Sequence, residues 1–556
     1  MTLPDALPRR SRERSERSAK AGQFWIAAGI FTALTVVLTW PQAVRLGSIY
    51  PHEDSLFNMW RLAWFAHAMK TNPLELFQAN IYWPERDTLA YSDAMLFEGV
   101  LAAPLLWAGV PAPVVQGLLV LASFVFSGCA AYVLARHLTG RFGAGIVAGL
   151  VFAFAPFRFD HYMHLELLWS GWMPLAVLAL LRTFEEGSTR WGLATALLWL
   201  MQALSSIYYG IFLAMALGVM TIALWAGRSA ETRRRAAAGL AAGGVLAAIV
   251  LFPYAQPYRR ARDTVGERQE GAVWLHSAGP QHYLAATPGN WIYGSYADRI
   301  SRHEKRLFAG AMGLALAVVG IWPPIDRRRL ALLAGLGMAL YLSIGMNAPG
   351  FSWLREHVEI FRGLRAPARA AQLSLLMIAI LAAYGMARLQ SWLQARRPAF
   401  SGYAPVLCAS VLVLEYASMP IGLRPAPPKS AASAWLADQP RGVVAELPMP
   451  IGLDRSSEPE ITYQSTFHWQ PLVNGHSGNL PLSNYLLYKQ VEKLPAAEGL
   501  EALKRAGVRY IIVHEARYGT PLYRSIIEFF DARTDLTRRA AFTEGRHEIT
   551  AYEVKP

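Results

Sequence analysis

Three stretches of the chain combine acids, histidines and arginines densely enough to do chemistry. The first is His52-Glu53-Asp54, followed by Asn58 and Arg61 among aromatic residues. A carboxylate partly desolvated by such neighbours has a raised pKa and is a better base near neutral pH. Either adjacent carboxylate, Glu53 or Asp54, could take that role, with His52 and Arg61 as substrate contacts. The same acids would also suit a helix start, where they favour the dipole. Asp93, in Tyr91-Ser92-Asp93, is a further binding candidate that would equally serve as an N-cap.

The second stretch runs from Arg158 through Asp160, His161 and His164 to Glu166. His161 and His164, three apart, share a face if helical, and with Glu166 they could ligate a metal. Solvated loop polarity is the competing reading, and no residue is assigned here as a metal ligand. The third stretch holds Arg362, Arg365 and Arg369. Guanidinium groups kept at a membrane edge need an anion, and phosphate accepts two parallel hydrogen bonds from each. Plain lipid anchoring would place them equally well. Tyr208, in a polar aromatic loop, and His476, in a Gly-rich loop without the Lys-Ser/Thr ending of a P-loop, are weaker binding candidates.

These groups must be positioned by a membrane scaffold. Of the 556 residues 54% are hydrophobic and only 17% charged, which excludes a disordered chain, a soluble enzyme and a disulfide scaffold. Cys129 and Cys408 both sit in apolar runs and read as small hydrophobes. The net charge of +14 does not indicate nucleic acid, because the basic residues fall in short clusters between apolar runs. The N-terminal stretch is too long and charged for a cleavable signal peptide.

Apolar runs predict about eleven spans, at 24–40, 113–135, 142–157, 167–184, 191–204, 209–224, 236–252, 307–321, 330–344, 371–387 and 403–420. The run 95–110 is short and carries Glu98 and Pro104. Treating it as re-entrant or juxtamembrane puts fourteen loop arginines on the cytoplasmic side and five opposite, and a spanning reading reverses that. The N-terminus is then cytoplasmic and the C-terminus extracytoplasmic. The expected domains are a basic tail 1–22, a transmembrane domain 23–422 with a large first loop 41–112, and an extracytoplasmic α/β domain 423–556. Strands are expected at 442–447, 508–514 and 551–554, with a helix at 496–506.

The acid motif in a large first loop, the polar loop 157–166, the stretches 58–64 and 91–93, and the C-terminal pieces 473–478 and 503–514 resemble a bacterial branch of the GT-C superfamily of membrane glycosyltransferases. The resemblance implies a polyprenyl-phosphate-linked sugar donor and an envelope glycan, lipid or protein acceptor, at the bacterial inner membrane. It implies Asp54, with Glu53 second, as an acid that acts as base or helps bind a metal, Asp160 as the second-loop acid, and Arg362, Arg365 or Arg369 facing the donor phosphate, with transfer by inversion. It leaves a divalent cation, Mg or Mn, open as a cofactor, although no Asp-x-Asp stands near the first loop. A flippase for lipid-linked saccharides, or a non-catalytic assembly subunit, would use the same arginines without a base.

Overall fold

The computed structural model describes residues 9–451 and 456–555. Residues 1–8 of the expected basic tail lie outside the described residues. The rest of that tail is helical and continuous with the first span in one helix, Arg9–Leu38.

The chain is a polytopic α-helical membrane protein with a small C-terminal sheet. Among the described residues, nine helices are long and apolar enough to cross a membrane. The other two expected spans are also helices, Thr189–Ser205 and Ala311–Ile321, of 17 and 11 residues. The ambiguous run forms the helix Leu96–Trp107. Its 12 residues extend about 18 Å, short of the roughly 30 Å of hydrocarbon.

Two compact units divide the chain. One comprises residues 1–45, 118–249 and 268–421; the other comprises 46–117, 250–267 and 422–556. The first expected loop therefore packs as one unit with the C-terminal residues.

In the helical unit, Phe142–Phe154 is buried on every side from Ala144 onward, as expected of a helix that is apolar all round. Ala371–Arg396 is likewise enclosed over its first four turns. It crosses the short helix Ala311–Ile321 through two glycines. A Cβ on Gly320 would come within 2.0 Å of the Leu381 carbonyl oxygen, and one on Gly385 within 1.8 Å of that of Leu316. Only glycine lets the two backbones touch. The short helix is anchored at its other end by Glu415, which is buried and accepts the N–H groups of Ala311 and Met312 at 2.8 and 3.0 Å. Those are orphan donors of a helix N-terminus.

In the second unit, the helix Glu53–Thr71 begins at the acid motif. The C-terminal sheet holds β3 (Val443–Leu447), β4 (Val508–His514), β5 (Leu536–Glu544) and β6 (His547–Val554), after a two-residue pair of β1 (Ser48–Ile49) with β2 (Arg424–Pro425). Its order is β3-β4-β6-β5, with β3 parallel to β4 and the other pairs antiparallel. Central β4 is buried almost throughout, and Leu500, Leu503, Tyr523, Ile526 and Phe530 of the covering helices share its core.

Candidate functional site

The helical unit gathers most of the second and third stretches. The helix Phe142–Phe154 stops where Pro156 starts a separate turn, Pro156–Asp160, and a second short helix follows at Leu165–Leu168. Pro at a first helical position lacks only an N–H that would be unpaired anyway. Every residue from Pro156 to Ser170 is buried. The polarity of this segment is therefore interior, and its charges need partners.

They have them. Arg306 donates to Asp160 Oδ1 at 2.6 Å, and the Glu304 N–H donates to Oδ2 at 3.2 Å. Arg158 donates to Ser170 Oγ at 2.6 Å and lies 4.7 Å over the Phe124 ring. Arg369 donates to both carboxylate oxygens of Glu304, through Nε at 2.9 Å and through its second nitrogen. Burial opposes ionisation of Glu304, but the Arg369 guanidinium outweighs it and holds the carboxyl well below its usual range. Glu304 also has φ +74°, a left-handed backbone that costs a non-glycine residue on the order of 1–3 kcal/mol. The surrounding contacts hold it there.

Three imidazoles lie beside these pairs. His161 Nδ1 is 3.1 Å from His164 Nδ1, and His303 Nε2 is 3.0 Å from the Asp160 carbonyl oxygen. Burial pushes His161 well below its ordinary pKa, so the ring is neutral. Glu166 is buried on the adjoining turn. Among the described residues this histidine trio is the group of three or more ligating side chains whose donor atoms converge. Its nitrogen donors do not match the oxygen ligands that Mg or Mn prefers.

The three expected arginines have separate fates. Arg369 is committed to Glu304. Arg362 donates to the carbonyls of Arg355 and Glu356, at the end of the helix Phe351–His357. Arg365 donates only its backbone N–H, to the Tyr208 hydroxyl at 2.8 Å, and its half-buried guanidinium has no hydrogen-bond partner among the described residues. The Tyr208 ring also lies 5.1 Å under Arg369. Arg268, which the sequence reading did not single out, joins this group. Its N–H donates to the Arg362 carbonyl. Burial first, then the charges of Arg365 and Arg369, push its pKa below the ordinary value. His276, whose carbonyl accepts the Ala368 N–H, is pushed down by burial and by the same two arginines. The result is a crowded cationic cluster edged by a tyrosine hydroxyl, which an anion would relieve.

The second unit holds the acid motif. His52 caps the helix Glu53–Thr71, its Nδ1 accepting the Asp54 N–H at 3.2 Å. The same Nδ1 is 3.4 Å from Asp54 Oδ2, but a nitrogen already accepting offers that carboxylate no proton. Asp54 is half-buried and Glu53 exposed. Asp54, Asn58 and Arg61 recur at helical spacing on one face. Arg61 bonds the Asn58 side chain and the Asp93 carbonyl, the latter at 2.7 Å, and covers the Phe57 ring at 4.6 Å. His476 meets the same ring edge-on at 5.2 Å. The Phe57 ring thus joins Arg61 and His476, and Asp93 enters only through its backbone carbonyl on Arg61. A cavity of about 490 Å³ opens in this unit, lined by Trp64, His67, Asn72, Glu75, Arg441 and Trp469 among others. Indole faces beside amide and charged groups suit a saccharide.

No model of a known family matches the sequence, and no curated protein matches it. Solved structures do. The arabinofuranosyltransferase AftD from mycobacteria aligns over 96% of this chain and 40% of its own, at 17% identity and a TM-score of 0.63. The archaeal oligosaccharyltransferase AglB from Archaeoglobus fulgidus aligns over 90% of this chain and 70% of its own, at 12% identity and a TM-score of 0.49. ArnT from Cupriavidus metallidurans aligns over 96% and 98%, at 12% identity and a TM-score of 0.46. The chain spans only 40% of the length of AftD. The fold is GT-C-like.

Proposed function

Proceeding from a GT-C-like fold, we propose that the chain is a membrane glycosyltransferase that moves a sugar from a polyprenyl-phosphate donor to an extracytoplasmic acceptor. In this reading it lies in a bacterial inner membrane with its N-terminus cytoplasmic and its C-terminal sheet outside. The observation that carries the reading is half-buried Arg365, whose backbone N–H meets the Tyr208 hydroxyl and whose charge opposes that of Arg268. Arg365 is charged, half-buried and without a hydrogen-bond partner for its guanidinium among the described residues. A lipid-linked phosphate is the anion that a membrane protein meets most readily at such a place.

Asp54 is the base. It takes the proton of an acceptor hydroxyl as that oxygen bonds to the anomeric carbon from the face opposite the phosphate. The carbon–oxygen bond to phosphate breaks, its electron pair stays on phosphate, and the anomeric configuration inverts. Arg365 and Arg268 stabilise the charge that develops there, a contribution of about 3 kcal/mol for one preorganised donor. Arg369 holds no phosphate in this reading; through Glu304 it fixes the loop on which Arg365 stands. The Trp64–Trp469 cavity receives the acceptor.

The test uses the full chain in nanodiscs with a labelled polyprenyl-phosphate sugar and a panel of envelope acceptors. Release of free polyprenyl phosphate that depends on acceptor, and weakens about 100-fold in kcat/KM on Arg365→Ala, is expected. Donor movement across the bilayer with no release of free lipid phosphate overturns the proposal in favour of a flippase.

A further inference from the structure

We infer that His161, His164 and His303 form a binding site for a divalent transition-metal ion of the zinc type. This goes beyond the glycosyltransferase reading and does not depend on it.

The three donors are already gathered. One ring nitrogen from each residue lies within 4.8 Å of the other two, and the ring centroids are 5.3, 5.6 and 5.7 Å apart. A tetrahedral zinc with Zn–N bonds of about 2.0–2.1 Å holds its nitrogens about 3.3 Å apart. The His161 and His164 Nδ1 atoms stand at 3.1 Å. Closing the other pairs asks for about 1.5 Å at most, within the reach of small side-chain rotations.

The outer contacts have the form that ligation needs. A carbonyl only accepts, so His303 Nε2, 3.0 Å from the Asp160 carbonyl, carries the proton. Its Nδ1 is then the lone-pair atom. Metal-ligating histidines are commonly oriented in this way, by donating the other ring N–H to a backbone carbonyl. That carbonyl belongs to a residue fixed on both carboxylate oxygens by Arg306 and by the Glu304 backbone.

The third observation is an unmet need. His161 is 1% exposed, and its Nε2 has no hydrogen-bond partner among the described residues. A buried polar atom left so costs about 1–3 kcal/mol. Ligation through Nε2 would satisfy it. Ligation through Nδ1 would instead displace the single proton that two facing Nδ1 atoms share, releasing it to solvent. The charges nearby do not oppose a cation. Asp160 and Glu304 are each matched to one arginine, and the same buried segment carries one more group of each sign, Glu166 and Arg158. Imidazole donors select zinc, cobalt, nickel or copper over Mg or Ca.

The probe is the metal alone. The full chain, purified in detergent and stripped with a chelator, is titrated with Co(II) and then with Zn(II). Visible d–d absorption of a nitrogen-ligated, four- or five-coordinate Co(II) ion should appear at one equivalent and vanish on adding one equivalent of zinc. In His161→Gln and His303→Gln chains the bands should be lost and zinc binding weakened by at least about 100-fold. Should either variant fail to fold, X-ray absorption at the zinc edge of the unsubstituted chain decides. A spectrum fitted by three imidazoles supports the site. No cobalt bands at micromolar metal, a zinc edge without imidazole scattering, or unchanged zinc binding in a monodisperse variant each overturns it.

Discussion

Two acidic motifs that look alike in the sequence are treated in opposite ways by the fold. In the helical unit, Asp160 is buried and both of its oxygens are taken, by the Arg306 guanidinium and the Glu304 backbone. In the other unit, Asp54 stands half-buried on the first turn of a helix whose next turns present Asn58 and Arg61. An acid locked in a closed ion pair positions a loop, whereas a half-buried one keeps some exposure to solvent. Density of polar residues therefore does not by itself mark a reacting group; the proposed reading gives that role to Asp54, the more exposed of the two.

The comparison breaks if the two acids respond alike to substitution. Glu304 and Arg369 form a buried, closed pair in the helical unit. Glu304→Gln should cost about 3–5 kcal/mol, because it strands a buried guanidinium. The double change Glu304→Gln with Arg369→Met should cost much less than the sum of the two single changes. Thermal unfolding in detergent reads both. Asp54→Asn should leave that unfolding curve in place and lower turnover by about 10²–10⁴-fold, or up to about 5 kcal/mol of barrier. Near-normal turnover would remove Asp54 as base.

The sheet sharpens the contrast with a third kind of acid. Glu446 of β3 is buried against His514, which donates Nε2–H at 2.8 Å. Burial pushes His514 below its ordinary value and His468 down to about 4. Both folded values lie below the unfolded 6.5, so the unfolded chain binds protons that the folded one refuses. Stability is therefore full above pH 6.5 and falls as the pH drops. His468 alone accounts for about 3 kcal/mol by pH 4. Hydrogen exchange of β4 amides should accelerate over that window, and His468→Gln should flatten the dependence. The smallest effect belongs to exposed Glu53, where Glu53→Gln should change stability and turnover by no more than about 0.5 kcal/mol.

Much of the scaffold was legible from apolar runs, since each of the eleven expected spans contains a helix. The membrane demands long apolar segments, so the pattern is strong. For the helix Glu53–Thr71 the sequence offered a possible start at the acids and no more. Asn58 and Arg61 are buried by partners distant in sequence, which hides any amphipathic period. Strand β5 was missed because Arg538, Arg539 and Glu544 stand on an exposed edge strand, where charge is protective. The 551–554 strand was too short a reading for the same reason, its hairpin partner being unrecognised. In the site, the stretch 158–166 was visible as chemistry but not as interior. Its partners His303, Glu304 and Arg306 lie in a charged loop about 140 residues on, and nothing local links the two. The signal that could have found them is the run His303-Glu304-Lys305-Arg306 itself, four ionisable residues ahead of an apolar segment. Arg268 carried no such signal.

The helix crossing at Gly320 and Gly385 leaves room for no other residue at either position, because each would-be methyl collides with a main-chain oxygen of the opposite helix. Side-chain motion cannot relieve a clash with backbone. Distant sequences that retain this junction must spell the same letter at both places, 65 positions apart.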